Sequence, residues 1–324
     1  MVPVLYAMNL MNPPEPSRQN FANPFTRYLA ATRPAFLSVT LAGALIGLGS
    51  ARADGWAIDG FKALLTVLFA LVAHAGANVI NDYYDALSGA DAGNQERLFP
   101  FTGGSRFIQN GVLSLRETRL FGYGLLAAVI PAGLWLTAHS AGGLIWIGLA
   151  GLLIAWAYSA PPLKLMARGV GEGAIAGGWL MVVLGTDFVQ RGEFAALPLI
   201  AGLPFALLVA AILYLNQFPD AVGDARAGKH TLVVRLGTQK ARWGYLVLVA
   251  AAYLWLAVAV MADALPVWAA LGLLPAVLSF KALRQLLGDA GQPARLAPAI
   301  KATILAANTH GLLVFAALAL SARP

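Results

Sequence analysis

Two groups of carboxylates stand where long apolar stretches of this 324-residue chain give way to polar loops. The first lies in the segment NDYYDALSGAD, Asn81 to Asp91, which carries Asp82, Asp85 and Asp91; the second is the pair Asp220 and Asp224. Acidic side chains at membrane depth are costly to desolvate, so they mark function, and grouped carboxylates most simply hold a hard cation. Mg2+ takes oxygen ligands, keeps part of its water, and bridges a few carboxylates to substrate phosphate. Two such groups imply Mg2+ ions holding a phosphorylated substrate against the membrane. A diphosphate clamped between them fits that preference. Were the diphosphate allylic, its ionisation would need the leaving group neutralised by metal and by cationic side chains.

Spacing says which side chains work together. Residues three or four apart share a helix face, so Asn78, Asn81 or Asp82, and Asp85 are expected to look into one cavity. Asp91 lies past Gly89 and reaches the same ion if the chain turns there. Asp220 and Asp224 repeat the i, i+4 interval, and Pro219 is expected to kink or end its helix, exposing backbone carbonyls to water or metal. The candidate cations for a diphosphate are Arg106 in TGGSR, Lys164 in YSAPPLKL and Lys229 in GKHTL, while Arg33 in TRPAF reads as an anchor at the start of an apolar run. Tyr158, Tyr83 and Tyr84 are placed to flank a developing carbocation, since aromatic faces attract cations. Competing with these readings are helix capping, surface pairing of Asp220 and Asp224 with Arg226 and Lys229, and interfacial anchoring of the basic and tyrosine residues. The four histidines, His74, His139, His230 and His310, form no tight ligand pattern, and the absence of cysteine excludes disulfides, thiolate catalysis and thiolate metal sites.

The elements that must position these groups are membrane helices. The chain is 59% hydrophobic and only 11% charged, the composition of a polytopic membrane protein. Nine apolar windows long enough to cross a bilayer fall near residues 28–51, 58–81, 118–138, 141–160, 171–190, 195–217, 242–262, 265–287 and 299–321. They are continuous and rich in Leu, Ala and Gly, without the period-two alternation of a barrel, so the expected fold is all-α, nine transmembrane helices around a central cavity. Residues 1–24 read as a polar cytoplasmic tail without a leader pattern, and 25–324 as one transmembrane unit.

With a cytoplasmic N-terminus, 18 of the 22 Lys and Arg residues fall on the inner side, leaving Arg52, Lys62, Arg191 and Arg323 outside. That asymmetry puts both acidic groups on the cytoplasmic face. The net charge of +7 is accounted for by inner loops facing anionic lipid and anionic substrate, so nucleic acid is not the expected partner. A short internal repeat, Asn-x-x-x-Asp-Ala, occurs at Asn81 and again at Asn216. Repeats of this kind often converge on a central site in membrane folds.

At this point the residues resemble the UbiA superfamily of intramembrane prenyltransferases. NDYYDALSGAD is similar to its first Asp-rich motif and NQFPDAVGD to its second. PFTGGSRFIQNGVLS, YSAPPLKLMARGVGE and GKHTLVVRLG resemble the flanking loops of the branch that prenylates 1,4-dihydroxy-2-naphthoate in menaquinone synthesis. The resemblance implies Mg2+-dependent electrophilic substitution. Metal and basic residues draw off diphosphate, and the allylic cation alkylates an electron-rich ring while the isoprenoid tail lies among helices open to lipid. Carried over by position, Asn81, Asp82, Asp85, Asp91, Asp220 and Asp224 are the expected metal ligands. Asn78, Asn81, Arg106, Lys164 and Lys229 are the expected diphosphate contacts, and Asp82, Asp85, Asp220, Asp224, Lys164 and Tyr158 the expected catalytic set. The implied partners are a polyprenyl diphosphate, an aromatic acceptor and membrane lipid, in a bacterial inner membrane. Gln217 and Phe218-Pro219 depart from that branch, which leaves 4-hydroxybenzoate, homogentisate or another acceptor as the alternative. An ion-coupled transporter or lipid carrier is the alternative of a different class; against it, the acids sit at helix ends beside basic loops and not at mid-span.

Overall fold

The computed structural model describes residues 14–321. Residues 1–13 of the expected tail, and Arg323 of the outer charge count, lie outside the described residues. The described chain is all-α. Its helices are α1 (Pro24–Ala31), α2 (Ser38–Ala53), α3 (Gly60–Ser88), the short α4 (Ala90–Gly93), α5 (Leu115–His139), α6 (Leu144–Ala157), α7 (Gly171–Arg191), α8 (Ala196–Arg226), the short α9 (Leu232–Leu236), α10 (Thr238–Met261), α11 (Ala276–Asp289) and α12 (Ala297–Leu320). Among the described residues, eight helical segments are long and apolar enough to cross a membrane, α11 gaining length from the 3-10 turns over 267–273. The shorter apolar helix α6 takes the fourth of the nine expected places.

Local chemistry sets several ends. The Asp59 carboxylate accepts from the Phe61 and Lys62 amides to start α3, and Ser114 with Glu117 forms a capping box at the start of α5, each satisfying amides that the first turn leaves unbonded. Gly89 ends α3 at φ 77°, a conformation open to glycine without strain. Both motif helices outrun the apolar windows. α3 continues from the expected end near 81 to Ser88, and α8 from near 217 to Arg226, straight through Pro204 and Pro219. Pro219 therefore neither ends its helix nor frees a run of carbonyls. Polar residues close a hydropathy window without breaking helical hydrogen bonding, and buried helices tolerate proline where neighbours surround them.

α8 is the axis of the bundle. Its Phe205, Leu208, Ala211, Tyr214 and Leu215 are fully buried, packed by α7 on one side and α10 on another, with α2 and α12 closing the rest. Close approach, more than apolar burial, holds such a bundle, because lipid tails solvate leucine as well as a core does. A methyl group at Gly47 of α2 would overlap the Val183 carbonyl of α7, and one at Gly244 of α10 would overlap the Tyr214 hydroxyl of α8. The outward faces are apolar, with Leu120, Leu254 and Val247 more than half exposed. The ends of α3, α6 and α8 and the starts of α7 and α10 thus gather at one end of the bundle, where the polar loops lie. At the opposite end Arg191 forks onto Asp187 at 2.9 Å and bridges to Asp54 at 2.8 Å, tying α7 to the end of α2.

Candidate active site

Both copies of the repeat open into one polar cavity of about 110 Å³. Asn81 and Asp85 reach it from α3, Asn216 and Asp220 from α8, with Asp224 one turn further on and Asp91 from α4. Lys229, on the loop after α8, sets its ammonium 2.6 Å from Asp85 and 3.3 Å from Asp224 and so links the two motifs. Burial works against that charge, but Asp85 and Asp224 outweigh it and raise Lys229 above the ordinary lysine range. Burial, reinforced by the charges of Asp85 and Asp82, pushes Asp91 well above the ordinary carboxylate range. Asn94 donates to Asp220 at 2.5 Å, and the Asn81 amide donates to Asp85 at 3.1 Å and to the Ser159 hydroxyl at 3.2 Å.

The loop over residues 102–106 lies against the first motif. Gly104 takes φ 71°, and a Cβ there would run into the Asp91 carboxylate, so only glycine lets the loop approach. Next along, the Ser105 amide donates to Asp82 at 3.2 Å. Arg106, itself at φ 65°, donates to the Asp91 carbonyl at 2.6 Å.

These contacts sort the expected site residues. Asn81, Asp85, Asp91, Asp220, Asp224, Lys229 and Tyr158 all line the polar cavity. Asp82 does not. It lies about 100° round the helix from Asn81 and holds the 102–106 loop from beneath. Arg106 is outside the lining too, its guanidinium beside Glu15 at 3.7 Å. Lys164 is exposed and outside the lining, in a left-handed turn at φ 44°, which corrects its expected place on the diphosphate. Asn78 lines a second, apolar cavity and donates to the Thr32 carbonyl at 3.1 Å. Neither Tyr83 nor Tyr84 reaches the polar cavity; the Tyr84 hydroxyl is 2.8 Å from that of Tyr123. Gln217 ties elements together, donating to buried Glu172 of α7 while its oxygen accepts from the Val233 amide of α9.

The apolar cavity measures about 530 Å³ and runs between α2, α3, α5, α6, α7 and α8. Ile130 and Leu134 of α5 and Leu149 of α6 line it and are also half exposed, so it opens sideways between these two helices. Five residues belong to both cavities and form their joint: Arg33, Asn81, Tyr158, Leu213 and Asn216. Arg33 is the residue that sequence reasoning passed over. Its position ahead of an apolar run matches a lipid anchor, and only its left-handed backbone, φ 58°, brings the side chain inward to the Phe101 carbonyl at 3.2 Å.

The donor set suits a hard divalent ion. Four lining carboxylates against Arg33 and Lys229 leave a formal charge of −2, and the remaining polar lining is mostly amide and hydroxyl oxygen. The side-chain oxygen of Asn216 is buried with no hydrogen bond. No three acidic or histidine residues among the described residues stand close enough to hold an ion unaided, which is the arrangement Mg2+ tolerates when substrate phosphate and water complete its shell.

Residues 37–308 match the model of the UbiA prenyltransferase family. The chain is 30% identical over 299 residues to the 1,4-dihydroxy-2-naphthoate octaprenyltransferase of Mycobacterium tuberculosis, covering 91% of this chain and 97% of that one. In fold it is similar to a digeranylgeranylglyceryl phosphate synthase, at a TM-score of 0.64 and 20% identity over 91% of this chain and 99% of the other. It is likewise similar to a UbiA homologue from Archaeoglobus fulgidus bound to DMAPP and Mg2+, at a TM-score of 0.56 and 19% identity over 90% and 99%. A membrane-helix bundle matched by one family model across most of its length, the chain belongs to the UbiA prenyltransferase family.

Proposed function

We propose that this membrane prenyltransferase transfers a polyprenyl group from an allylic diphosphate to 1,4-dihydroxy-2-naphthoate, using Mg2+, at the cytoplasmic face of a bacterial inner membrane. The observation that carries the reading is the joint: an acidic, oxygen-lined cavity meets a larger apolar one that opens to the side. That is the shape of a substrate with a diphosphate head and a hydrocarbon tail. The name of the Mycobacterium tuberculosis relative supports the naphthoate acceptor. The crowding of basic residues at the site end supports a cytoplasmic location.

Asp85, Asp91, Asp220 and Asp224, with the oxygens of Asn81 and Asn216, would hold Mg2+, which when bound supplies the positive charge that a departing diphosphate needs. Lys229 adds a buried ammonium at the same place and keeps the two motif helices in register. Asp82 and Arg106 position, the first by holding the 102–106 loop and the second by holding the Asp91 backbone. At the joint the C1–O bond breaks with its electron pair leaving on the diphosphate. Tyr158 would offer its π-electrons to the allylic cation. The ring carbon that bears the carboxylate then bonds C1, and the carboxylate leaves as CO2, its C–C bonding pair returning to the ring to give the naphthoquinol. Water is kept from the cation by the apolar lining, which protects it from hydrolysis.

The test is product analysis. Membranes holding the protein, given farnesyl diphosphate and dihydroxynaphthoate, are expected to release diphosphate and form a prenylated naphthoquinol with Mg2+ and not with a chelator. Prenylation of 4-hydroxybenzoate with none of the naphthoate would overturn the acceptor; ion-coupled uptake without diphosphate release would overturn the reaction.

A further inference from the structure

We propose that Arg97, Arg106 and Asn110 form an anion site on the far side of the loop that covers the polar cavity, that Glu15 fills this site between turnovers, and that departing diphosphate displaces Glu15 there on its way out to water. This rests on the prenyl-transfer reading above.

The two products differ too much in polarity to share an exit. A prenylated quinol can leave by the opening between α5 and α6, whereas free diphosphate, a multiply charged anion, is too costly to desolvate in that apolar cavity. It must leave through polar structure. Asp85, Asp91 and Asp224 are each less than a tenth exposed, so the polar cavity is covered, and part of its cover is the stretch from Phe101 to Gly104. That wall is one residue thick. A Cβ on Gly104 would run into the Asp91 carboxylate within the cavity, while a Cβ on its neighbour Gly103 would run into the side chain of Arg97, which does not line the cavity.

Behind the wall, Arg97 sets Nε and Nη2 at 2.8 and 2.7 Å from one oxygen of Glu15, and Asn110 donates to the other at 3.1 Å. Arg106 aims a further donor at the same place. Its Nε is buried, makes no hydrogen bond among the described residues and stands 3.7 Å from Glu15, while its Nη1 holds the Asp91 carbonyl. A carboxylate, with two oxygens, leaves that donor unmet. A phosphoryl end offers three oxygens and more charge, and arginine forks suit it. The site is better matched to this larger anion than to the one that occupies it. Glu15 belongs to a strap, residues 14–23, whose other contacts fall on the same loop. The Pro16 carbonyl accepts from Asn110 at 2.9 Å, Arg18 donates to the Gly111 carbonyl at 2.5 Å, and Phe21 packs on Phe107 with ring centroids 5.1 Å apart. Displacing Glu15 therefore loosens the strap from the loop that closes the cavity.

Two measurements on the full chain in membranes test this. The chain has no cysteine, so Val112→Cys, a thiol buried in one cluster with Phe21 and Phe107, reports strap opening by its rate of maleimide labelling. In chelator, so that no Mg2+ retains the anion elsewhere, millimolar inorganic diphosphate is expected to speed labelling about 10- to 100-fold, the value of one charge-assisted contact. Glu15→Gln in the same background should label fast with or without diphosphate. Labelling unmoved by diphosphate or by Glu15→Gln, or accelerated equally by chloride at the same ionic strength, would overturn the site. The second measurement bridges Phe21→Cys to Phe107→Cys with a short bis-methanethiosulfonate. Loaded with farnesyl diphosphate before bridging, this variant is expected to prenylate one equivalent of acceptor and to release its diphosphate only when a thiol reductant cuts the bridge. Repeated turnover with the bridge intact would overturn the exit route. A wild type that releases no diphosphate with Mg2+ and acceptor would instead overturn the prenyl-transfer reading, and the labelling result would still decide whether Glu15 and diphosphate compete for one site.

Discussion

Lys229→Met removes the one ammonium that joins the two acidic motifs while keeping most of the side-chain volume. At separations of 2.6 and 3.3 Å from Asp85 and Asp224, the gross attractions are about 6 and 5 kcal/mol at an effective dielectric of ~20. Desolvation offsets much of this. What the substitution exposes is the cost of leaving two buried carboxylates without a counter-charge, about 3–5 kcal/mol. A divalent ion bound by the same carboxylates replaces the missing charge, and at one hundred times its Kd such an ion stabilises by about 2.7 kcal/mol. Reversible unfolding in mixed micelles, followed by helix content, measures both quantities. In chelator, Lys229→Met is expected to be less stable than wild type by a few kcal/mol, and millimolar Mg2+ should recover more stability in the variant than in wild type. Equal stability in chelator, or a deficit that Mg2+ leaves untouched, would refute the idea that ammonium and metal neutralise the same carboxylates.

Four further outcomes are expected. Asp85→Asn and Asp220→Asn, each on the polar cavity from a different helix, should each lower diphosphate release by about 10²–10³-fold with helix content unchanged; full activity in both would remove the site. Gly104→Ala forces a non-glycine residue to φ 71° and drives its Cβ against Asp91, so it should cost about 1–2 kcal/mol from the backbone alone, and chelator-dependent unfolding reads whether Mg2+ affinity falls with it. Arg191→Met strands Asp187 at the far end of the bundle, costing about 3–5 kcal/mol in the same unfolding assay with both KM values unmoved. Glu15 is latched to Arg97 at 2.7 Å and to Asn110 at 3.1 Å. Burial opposes its charge, but the Asn110 and Arg97 contacts prevail and hold its carboxyl below the usual 4.5. A depressed acid stabilises above its unfolded value and ceases to as pH falls through the folded one. Protease cleavage at residues 14–23 should therefore be slow at neutral pH, rise below pH 4.5, and be fast at every pH in Glu15→Gln.

The part of this protein legible in its sequence is the part that repeats a short-range rule. Apolar length marks each crossing, and the interval between Asn81 and Asp85, copied at Asn216 and Asp220, puts both pairs on one cavity because i and i+4 share a helix face whatever surrounds them. The same rule misleads one residue along. Asp82 is as acidic as Asp85 and is in the same motif, yet the 102–106 loop folding back over α3 takes it up as a backbone acceptor, and no local interval shows that contact across 23 residues. Cations were harder still. Arg106, Lys164 and Arg33 all adopt left-handed backbone, but only at Arg33 does the turn bring a side chain into the joint. In the sequence Arg106 and Lys164 read as diphosphate contacts, and Arg33, before Pro34, as an anchor for the helix it precedes. The difference is made by the carbonyls of Pro100 and Phe101, far away in the chain. Acid positions in this fold follow from helical phase, and the positions of the bases that complete the site follow from how loops of unrelated sequence close over the ends of α3 and α8.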